Sequence, residues 1–339
     1  MWVRRWWPTV GAVLLALSPN VVSPDSAGAT PAGAASDATA ELKPTTSHYM
    51  VLAADQGSSH RIGYRTGCAD ARQGASGLRV LFFGAQEAQG RLRPPGTTVK
   101  STTVRFGGGS VVAAASGWVR GYTACGSGTA VLALGVSNRN DGGVAGAEAG
   151  ATWARLVEQA VTASPAGRVT VAGAFDGEPG YSDPGWARGW VDGYVGVSSR
   201  ALYAAASADG CPDGGPGDRC DNGWSVGDVF HMSTGAGRGV YALPQIYRVD
   251  GIQARQWATI SRWGIRNGRG PLRMAGALSQ EVACRQKRAC TAGNRPATNN
   301  SPTAARDQLT SALAGDPGTR SAVPLVTTDV AWPDEESEG

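Results

Sequence analysis

The chain has 339 residues, 42% of them hydrophobic and 17% charged, and its formal net charge is +4. This nearly neutral balance, with scattered arginines and no basic stripe interleaved with aromatic side chains, argues against nucleic-acid binding. The one local group of cations, Arg285, Lys287 and Arg288, is interpreted as the solvated face of a loop. The length suits one α/β barrel with insertions, so no second domain is required.

The N-terminal segment has the order of features that is typical of a secretory signal. Arg4 and Arg5 precede a short apolar run, Val10–Leu17, and small residues end in AGA at 27–29. No later stretch is long and apolar enough to cross a bilayer. We therefore expect a signal peptide at 1–29, a flexible lead at 30–47, a barrel at 48–332 and an acidic disordered tail at 333–339. The mature protein is expected to be secreted, with cell-wall association as one outcome, and the export route stays open.

The six cysteines are expected to form disulfides, because exported proteins use cysteine in this way and the spacings fit no zinc pattern. Six cysteines can pair in many ways, so the connectivity stays open. Nearness in sequence favours Cys211–Cys220 and Cys284–Cys290. That choice leaves Cys68–Cys125, which would tie the N-terminal segment to the first helix.

Apolar runs alternate along the chain with segments of helical spacing. The predicted strands are His48–Asp55, Leu78–Gly84, Thr129–Val136, Val169–Phe175, Ala201–Ser207, Gly239–Tyr247, Leu272–Leu278 and Val323–Asp329. The predicted helices are Ala147–Ala163, Pro184–Val197, Ile252–Trp263 and Asn299–Leu313. Strands that alternate with helices indicate parallel βαβ units. The pattern predicts an α/β fold with a single (β/α)8-type TIM barrel, whose eighth unit is the His48 segment or an irregular piece.

Several motifs are interpreted as structural. Trp186, Trp190 and Tyr194 lie four residues apart, and we predict that they pack in the core, although such a stripe could also line a sugar groove. GWSVG at 223–227 matches the G-x-S-x-G nucleophile elbow but follows no strand, so Ser225 with Asp228 is predicted to cap a helix. The three histidines show no metal spacing, and no glycine-rich phosphate loop follows a strand. We expect no metal and no cofactor.

The most informative stretch is Val169–Tyr181, VTVAGAFDGEPGY. With period two, Val171 and Phe175 fall on one bulky face, while the other face is small and then acidic, ending in Asp176 and Glu178. A barrel strand of this kind packs its bulky face under helices, and catalytic groups in such barrels lie at the C-terminal strand ends. The alternative is an ordinary strand-end turn, because Asp, Gly and Pro also form loops.

Polar side chains follow the other predicted strands as well, and a barrel would bring them to one mouth. They are Gln86, Glu87, Ser137, Asn138, Ser207, Asp209, Gln245, Tyr247, Gln280, Glu281, Asp329 and Trp332. Carboxylates, amides and aromatic rings are what a carbohydrate site requires. We predict that the substrate is bound by Asn138, Asp209, Gln245, Tyr247, Gln280 and Trp332.

Glycoside hydrolysis requires one protonated carboxyl group and one ionised carboxylate. Glu178 is the predicted acid, because a partly buried Glu beside a second carboxylate is held protonated more easily. Asp176 or Asp329 would be the ionised partner, and Glu281 is a lesser candidate. A separation near 5 Å would imply retention of configuration, and about 6.5–9.5 Å would imply inversion.

Several segments resemble exported actinobacterial TIM-barrel proteins of the glycoside-hydrolase-like kind, including a domain of unknown function described as a cell-wall protein. They are AGAFDGEPGY at 172–181, WARGWVDGY at 186–194, SADGC at 207–211, NGW at 222–224, PQIY at 244–247, ARQW at 254–257 and TDVAW at 328–332. The resemblance covers about residues 77–332. It implies a β/α barrel, export and a role at the cell wall.

The Asp176-x-Glu178 pair is similar to the end of the chitinase-type D-x-x-D-x-D-x-E signature, but no residue from Val171 to Phe175 is acidic. This departure argues against substrate-assisted chitinase chemistry. The first hypothesis is a secreted, monomeric hydrolase of glycosidic bonds in a polysaccharide or cell-wall glycan such as peptidoglycan. The alternative is a non-catalytic barrel that binds cell-wall glycan or a protein partner. An open cleft holding two carboxylates favours the first, and a salt bridge from an arginine that seals Glu178 favours the second.

Overall fold

The structure is a computed structural model that describes residues 43–287, 290, 297–320 and 326–333. The predicted signal peptide, most of the lead and the acidic tail beyond Pro333 lie outside this range. The strands are β1 (Thr45–Tyr49), β2 (Gly77–Glu87), β3 (Arg91–Arg93), β4 (Phe106–Gly107), β5 (Ala130–Ser137), β6 (Val169–Asp176), β7 (Leu202–Ala204), β8 (Val240–Ala242), β9 (Ala277–Ser279) and β10 (Thr327–Ala331). The helices are α1 (Gln56–Arg72), α2 (Gly108–Cys125), α3 (Gly146–Ala163), α4 (Pro184–Val195), α5 (Val226–Phe230), α6 (Ile252–Arg266), α7 (Glu281–Lys287) and α8 (Pro302–Ala314).

Eight parallel strands form a curled sheet of the TIM-barrel type, as predicted. Around the sheet the order is β8, β7, β6, β5, β2, β1, β10, β9, so the last strand of the chain pairs with the first. Parallel bridges from Ala242 to Met274 and from Gln245 to Leu278 connect the β8 and β9 segments. The short strands β3 and β4 form an antiparallel excursion from the end of β2. The C-terminal ends of the eight strands therefore meet at one face.

The two faces of β6 pack as the alternation predicts. Val171 and Phe175 lie in the layer between strands and helices, where the Phe175 ring stacks on Trp190 of α4 at 4.2 Å between centroids. Ala174 points the other way and packs in the separate apolar cluster inside the barrel. Trp190 and Tyr194 are fully buried, so the aromatic stripe of α4 is core packing.

Strand β1 begins earlier than predicted, at Thr45 instead of His48, within the segment expected to be a flexible lead. Its polar sequence, TTSHY, is satisfied inside the barrel: Ser47 Oγ lies 2.7 Å from Thr328 Oγ1, and Thr45 Oγ1 donates to the Leu78 carbonyl. The strand cannot continue to Asp55, because the Asp55 carboxylate accepts hydrogen bonds from the amides of Gly57 and Ser58 and caps α1.

Three strands are shorter than their apolar runs. β7, β8 and β9 each have three residues, where the sequence predicted seven to nine residues per run. Pro244 cannot donate to a ladder, and Gly276 has a φ of 151°, so the backbone leaves strand geometry at both places. The polar residues beyond these strands consequently lie in loops at the mouth of the barrel.

Helices α1 and α2 were not predicted, because their sequences are rich in glycine and serine. The two helices pack so closely that a Cβ on Gly63 or Gly67 of α1 would overlap the backbone carbonyls of Ala114 and Trp118 on α2. On α1, glycine and other small residues replace the apolar stripe that usually identifies a helix. On α2, Val111, Ala115, Trp118 and Tyr122 form a buried stripe at helical spacing.

All three disulfides have the favoured pairing: Cys68–Cys125, Cys211–Cys220 and Cys284–Cys290. Cys68–Cys125 joins α1 to α2, and not the N-terminal segment to the first helix as expected. Three disulfides fit an extracellular protein. No helix within the described residues is long and apolar enough to cross a membrane.

Ser225 caps α5 as predicted. Its hydroxyl accepts from the Asp228 amide while the Asp228 carboxylate accepts from the Ser225 amide, which completes a capping box. In the basic cluster, Arg285 and Lys287 are exposed, and Arg288 lies outside the described residues. Both motifs are therefore explained without catalysis.

Candidate functional site

A cavity of about 160 Å³ opens where the strands end. It is lined by Tyr49, Phe82, Gly84, Ala85, Pro94, Pro95, Gly96, Thr97, Ser137, Arg139, Asp176, Glu178, Tyr181 and Trp332. The position agrees with the rule that active sites of such barrels lie at the C-terminal ends of the strands. Two of the predicted catalytic carboxylates, Asp176 and Glu178, lie together in this cavity.

Asp176 is the last residue of β6, and Glu178 follows it after one glycine. A Cβ at Gly177 would overlap the Met232 sulfur, so a larger residue between the two acids would require Met232 to move. Asn138 fixes the backbone of Glu178 from both sides, because its Nδ2 donates to the Glu178 carbonyl at 2.8 Å and its Oδ1 accepts from the Glu178 amide at 3.0 Å. Glu178 is thereby held at the strand end although it lies beyond the strand.

Gln245 connects the two carboxylates. Its Nε2 donates to Asp176 Oδ1 at 2.9 Å, to Glu178 Oε1 at 3.3 Å and to the Ala205 carbonyl at 3.2 Å. Since both acidic oxygens contact one nitrogen, they are at most about 6 Å apart. That bound on one oxygen of each acid is compatible with the short separation of the carboxyl groups in retaining glycosidases.

The electrostatic surroundings favour protonation of both acids. Burial raises the pKa of Asp176 well above its ordinary value, and the charge of Glu178 adds to the shift. Burial also raises the pKa of Glu178, and the charge of Asp209 contributes in the same direction. The hydrogen bonds from Gln245 and the charge of Arg139 oppose both shifts. Two acids that interact in this way lose their protons in separate steps, so one acid and one base can coexist.

Three tyrosines surround the acid pair. Burial raises the pKa of Tyr49 and of Tyr247, and it raises the pKa of Tyr181 to about 12. The charges of Asp176 and Glu178 contribute to the raised pKa of all three phenols. Tyr49 and Tyr181 line the cavity together with the two carboxylates. The tyrosines therefore stay neutral and can donate hydrogen bonds.

One wall of the cavity comes from the excursion after β2. Glu87 is buried and accepts from Arg93 and Arg105, and Arg93 also pairs with Asp141 and donates to the Thr97 carbonyl. This ion network fixes the segment that carries Pro94–Thr97. Trp332 packs beside Gly96 of this segment and stacks on Tyr49 with 4.3 Å between ring centroids.

The second predicted partner, Asp329, is not among the cavity-lining residues. Its Oδ1 accepts from the Ser279 hydroxyl at 2.6 Å and from the Glu281 amide at 2.8 Å, and its Oδ2 accepts from the Val282 amide at 2.8 Å. These amides begin α7, so the carboxylate caps a helix. Of the two partners left open for Glu178, the geometry favours Asp176.

The predicted substrate-binding residues divide into two groups. Trp332 lines the cavity, and Gln245 and Tyr247 lie at the acid pair. Asn138 is fully buried and supports the Glu178 backbone, and Gln280 donates to the Thr298 carbonyl at 2.9 Å. Asp209 is exposed, and its Oδ1 accepts from Gln253 at 3.2 Å.

Of the five remaining strand-end residues, Ser137 lines the cavity. The other four are engaged elsewhere. Gln86 is buried and bonds to the Trp190 indole and the Ala149 carbonyl. Ser207 accepts from the Asp209 amide, and Glu281 pairs with Arg285 at 3.0 Å on the surface. Glu87 belongs to the ion network described above.

Sequence reasoning missed Arg139, Tyr49 and Tyr181. Arg139 lines the cavity directly after Ser137 and Asn138, so one more residue of the same strand-end rule would have included it. Tyr49 ends β1, whose start was predicted three residues too late. Tyr181 ends the stretch Val169–Tyr181, and it lines the cavity together with the two acids.

No group of three or more His, Cys, Asp or Glu side chains suited to a metal ion occurs in the part of the chain that the structure describes. The cavity instead offers a carboxylate pair, neutral phenols and one guanidinium. No protein-family model matches the chain, and no curated protein is significantly similar to it.

Proposed function

We propose that the protein hydrolyses glycosidic bonds in a polysaccharide or cell-wall glycan, with Glu178 and Asp176 as the reacting carboxyl groups. The observation that carries the proposal is the Asp176–Glu178 pair in an open cavity, joined by Gln245. Two carboxyl groups at short separation are the minimum equipment for a retaining mechanism. The disulfides fit secretion, and the resemblance to exported glycoside-hydrolase-like barrels stays a prediction.

The two acids are assigned different roles. Glu178 donates a proton to the leaving glycosidic oxygen, and Asp176 acts as the charged partner at the anomeric carbon. Gln245 supports this division, because its hydrogen bond to Asp176 is shorter than its bond to Glu178 and favours the ionised form of Asp176. Burial of Asp176 opposes its ionisation, and the charge of Arg139 offsets part of that cost.

The aromatic wall suits a sugar. Trp332 and Tyr49 line the cavity with a stacked pair of aromatic rings, and sugar C–H groups pack against aromatic surface of this kind. The neutral phenol of Tyr181 can hydrogen-bond to sugar hydroxyls. The cavity thus combines a reacting pair with a surface that can orient a ring.

The alternative is a barrel that binds glycan without cleaving it. It would be favoured by an arginine that seals Glu178. Across residues 43–287, 290, 297–320 and 326–333, no Arg or Lys nitrogen lies within 4.0 Å of an Asp176 or Glu178 oxygen. The pair remains open to a substrate, which supports the hydrolase.

The test is release of reducing ends from a panel of polysaccharides and purified peptidoglycan. The wild type is compared with Glu178→Gln and with Glu148→Gln, whose exposed side chain on α3 provides a matched control. We expect Glu178→Gln to lower the rate by about 10²–10⁴-fold, as loss of a general acid does, and Glu148→Gln to retain it. Equal activity in all three proteins would remove Glu178 from the mechanism. Binding to cell walls with no hydrolysis would favour the non-catalytic barrel.

A further inference from the structure

Arg139 is a cation in the cavity whose presence the proposed hydrolysis does not by itself require. It lines the cavity beside Ser137, Asp176 and Glu178 and is half-buried. Its guanidinium carbon lies over the Tyr181 ring, 3.8 Å from the ring centroid, which is a cation–π contact. The Ser137 hydroxyl accepts from the Arg139 amide at 3.2 Å and fixes the start of this loop.

The guanidinium is not consumed by an ion pair. Within the described part of the chain, no carboxylate oxygen lies within 4.0 Å of it. Asp176 and Glu178 are near enough for Arg139 to lower their pKa values, yet both are bonded to Gln245 instead. Asp209, which also faces Glu178, accepts from Gln253. The donors along the edge of the guanidinium remain available to a ligand.

A second cation lies near the cavity. The exposed Lys287 ammonium is 5.0 Å from the ring centroid of Trp332, which lines the cavity. Two aromatic rings of the cavity lining, Tyr181 and Trp332, therefore each have a positive charge beside them. A neutral glycan would require neither charge, whereas both charges would attract a carboxylate-bearing glycan.

We propose that the substrate is a glycan that carries carboxylate groups, and that Arg139 binds the carboxylate of the sugar next to the scissile bond. This inference rests on the proposed function and specifies its substrate class. The planar fork of an arginine matches the two oxygens of a carboxylate. The contact with the Tyr181 ring restrains that fork within the cavity. The shared chemistry is the carboxylate, which hexuronic acids and the lactyl group of muramic acid both supply.

The test measures preference for charge with matched ligand pairs. One pair is an oligosaccharide of hexuronic acids and its carboxyl-reduced, neutral counterpart. The other is a glycan strand containing muramic acid, freed of peptide, and its carboxyl-reduced counterpart. Dissociation constants are measured by calorimetry with the full chain carrying Glu178→Gln, so that binding is read without hydrolysis. The two pairs distinguish the two sources of carboxylate.

At least one carboxylated ligand is expected to bind about tenfold to a hundredfold more tightly than its reduced counterpart, the range for a hydrogen-bonded ion pair. Adding Arg139→Gln should bring that ratio close to one, and Arg139→Lys should restore part of it. Arg200→Gln removes an arginine that pairs with Glu158 on the outer surface and should leave the ratio unchanged. Salt should weaken the preference.

Arg139 could instead serve only to adjust the pKa values of the acid pair. In that case Arg139→Gln would shift the pH profile of hydrolysis upward equally for charged and neutral substrates, without a change in their ratio, and the inference would fail. Equal wild-type affinity for both members of each pair overturns it without reference to any variant. A preference for charged ligands without hydrolysis would contradict the hydrolase alone, and hydrolysis of neutral glycans as efficient as that of charged glycans would contradict only the inference.

Discussion

Two buried carboxylate sites in this barrel are built in opposite ways. At Asp70 of α1, each oxygen has its own donor: Oδ1 contacts His48 Nε2 at 2.9 Å, and Oδ2 accepts from the Trp118 indole at 2.8 Å. Arg79 lies 3.8 Å from the same carboxylate and donates to the Ala75 carbonyl. Asp70 and Arg79 are fully buried. His48 is partly exposed, but the Asp70 carboxylate itself is closed off from solvent.

At the mouth of the barrel, Asp176 and Glu178 share one amide donor, Gln245, and keep part of their surface open to the cavity. The difference lies in what the lone pairs can still accept. A carboxylate whose oxygens are satisfied by the protein contributes to folding, whereas an under-satisfied pair costs stability and can act on a ligand. Burial alone therefore does not identify a functional acid, and the number of fixed donors does.

The largest expected effect is a loss of folding stability when the closed site is disrupted. Asp70→Ala leaves the Arg79 guanidinium buried without its partner, so we expect the free energy of unfolding to fall by about 3–5 kcal/mol. Chemical denaturation of the full chain measures it. Asp192→Ala is the matched control, because Asp192 also pairs with a histidine, His231, but is exposed. Its expected cost is about 0–1 kcal/mol, and equal losses in both variants would contradict the comparison.

At the open site, the contribution of the acids to the stability of the fold is expected to depend on pH. Both acids have a raised pKa in the folded protein, so the folded state binds more protons than the unfolded state above their ordinary pKa values. Their contribution is fully present below the unfolded pKa and is lost as the pH rises through the folded pKa. Asp176→Asn and Glu178→Gln should therefore gain stability relative to the wild type between pH 4 and 8.

Melting temperatures of wild type and both variants across that range test this prediction. Asp228→Asn is the control with the reverse sign, because hydrogen bonds from Ser225 and Arg188, opposed by burial, give Asp228 a lowered pKa. This variant should lose stability relative to the wild type as the pH rises above the unfolded pKa. A constant difference from pH 4 to 8 in the Asp176 and Glu178 variants would show that the acid pair is not strained by burial.

The open site could be located from the sequence, and the closed one could not. The alternation of β6 identified both faces of that strand and put Asp176 and Glu178 at its C-terminal end. Asp70 lies on α1, a helix whose glycines pack on α2 and give no periodic signal. The sequence does not show that α7 begins beside Asp329, where two backbone amides donate to its carboxylate. The place of Asp329 outside the cavity lining could therefore not be predicted.

The same reasoning explains why some residues of the cavity could be predicted from the sequence and others could not. Residues that follow strands in register, such as Gln245, could be placed at the mouth by counting. Tyr49 could not be placed by counting, because where β1 begins is set by contacts distant in sequence, such as Ser47 with Thr328. The residues that follow a strand can be counted from the local sequence, whereas the start of a distant strand and the orientation of loop side chains cannot.

The smallest expected effect concerns the aromatic wall. Trp332 contributes a ring to the cavity and stacks on Tyr49, but it touches neither reacting carboxylate through a hydrogen bond among those that the structure describes. Trp332→Leu should raise KM about threefold to tenfold, the size of one aromatic contact, and leave kcat nearly unchanged. Trp332→Phe should recover most of the loss, because a ring remains to stack on Tyr49. Trp263→Leu removes a tryptophan of α6 that packs on Phe230 of α5, and it should not alter KM. A fall in kcat that matches the fall in kcat/KM in Trp332→Leu would instead place the ring in transition-state stabilisation, because an interaction made equally in ground and transition states changes KM alone.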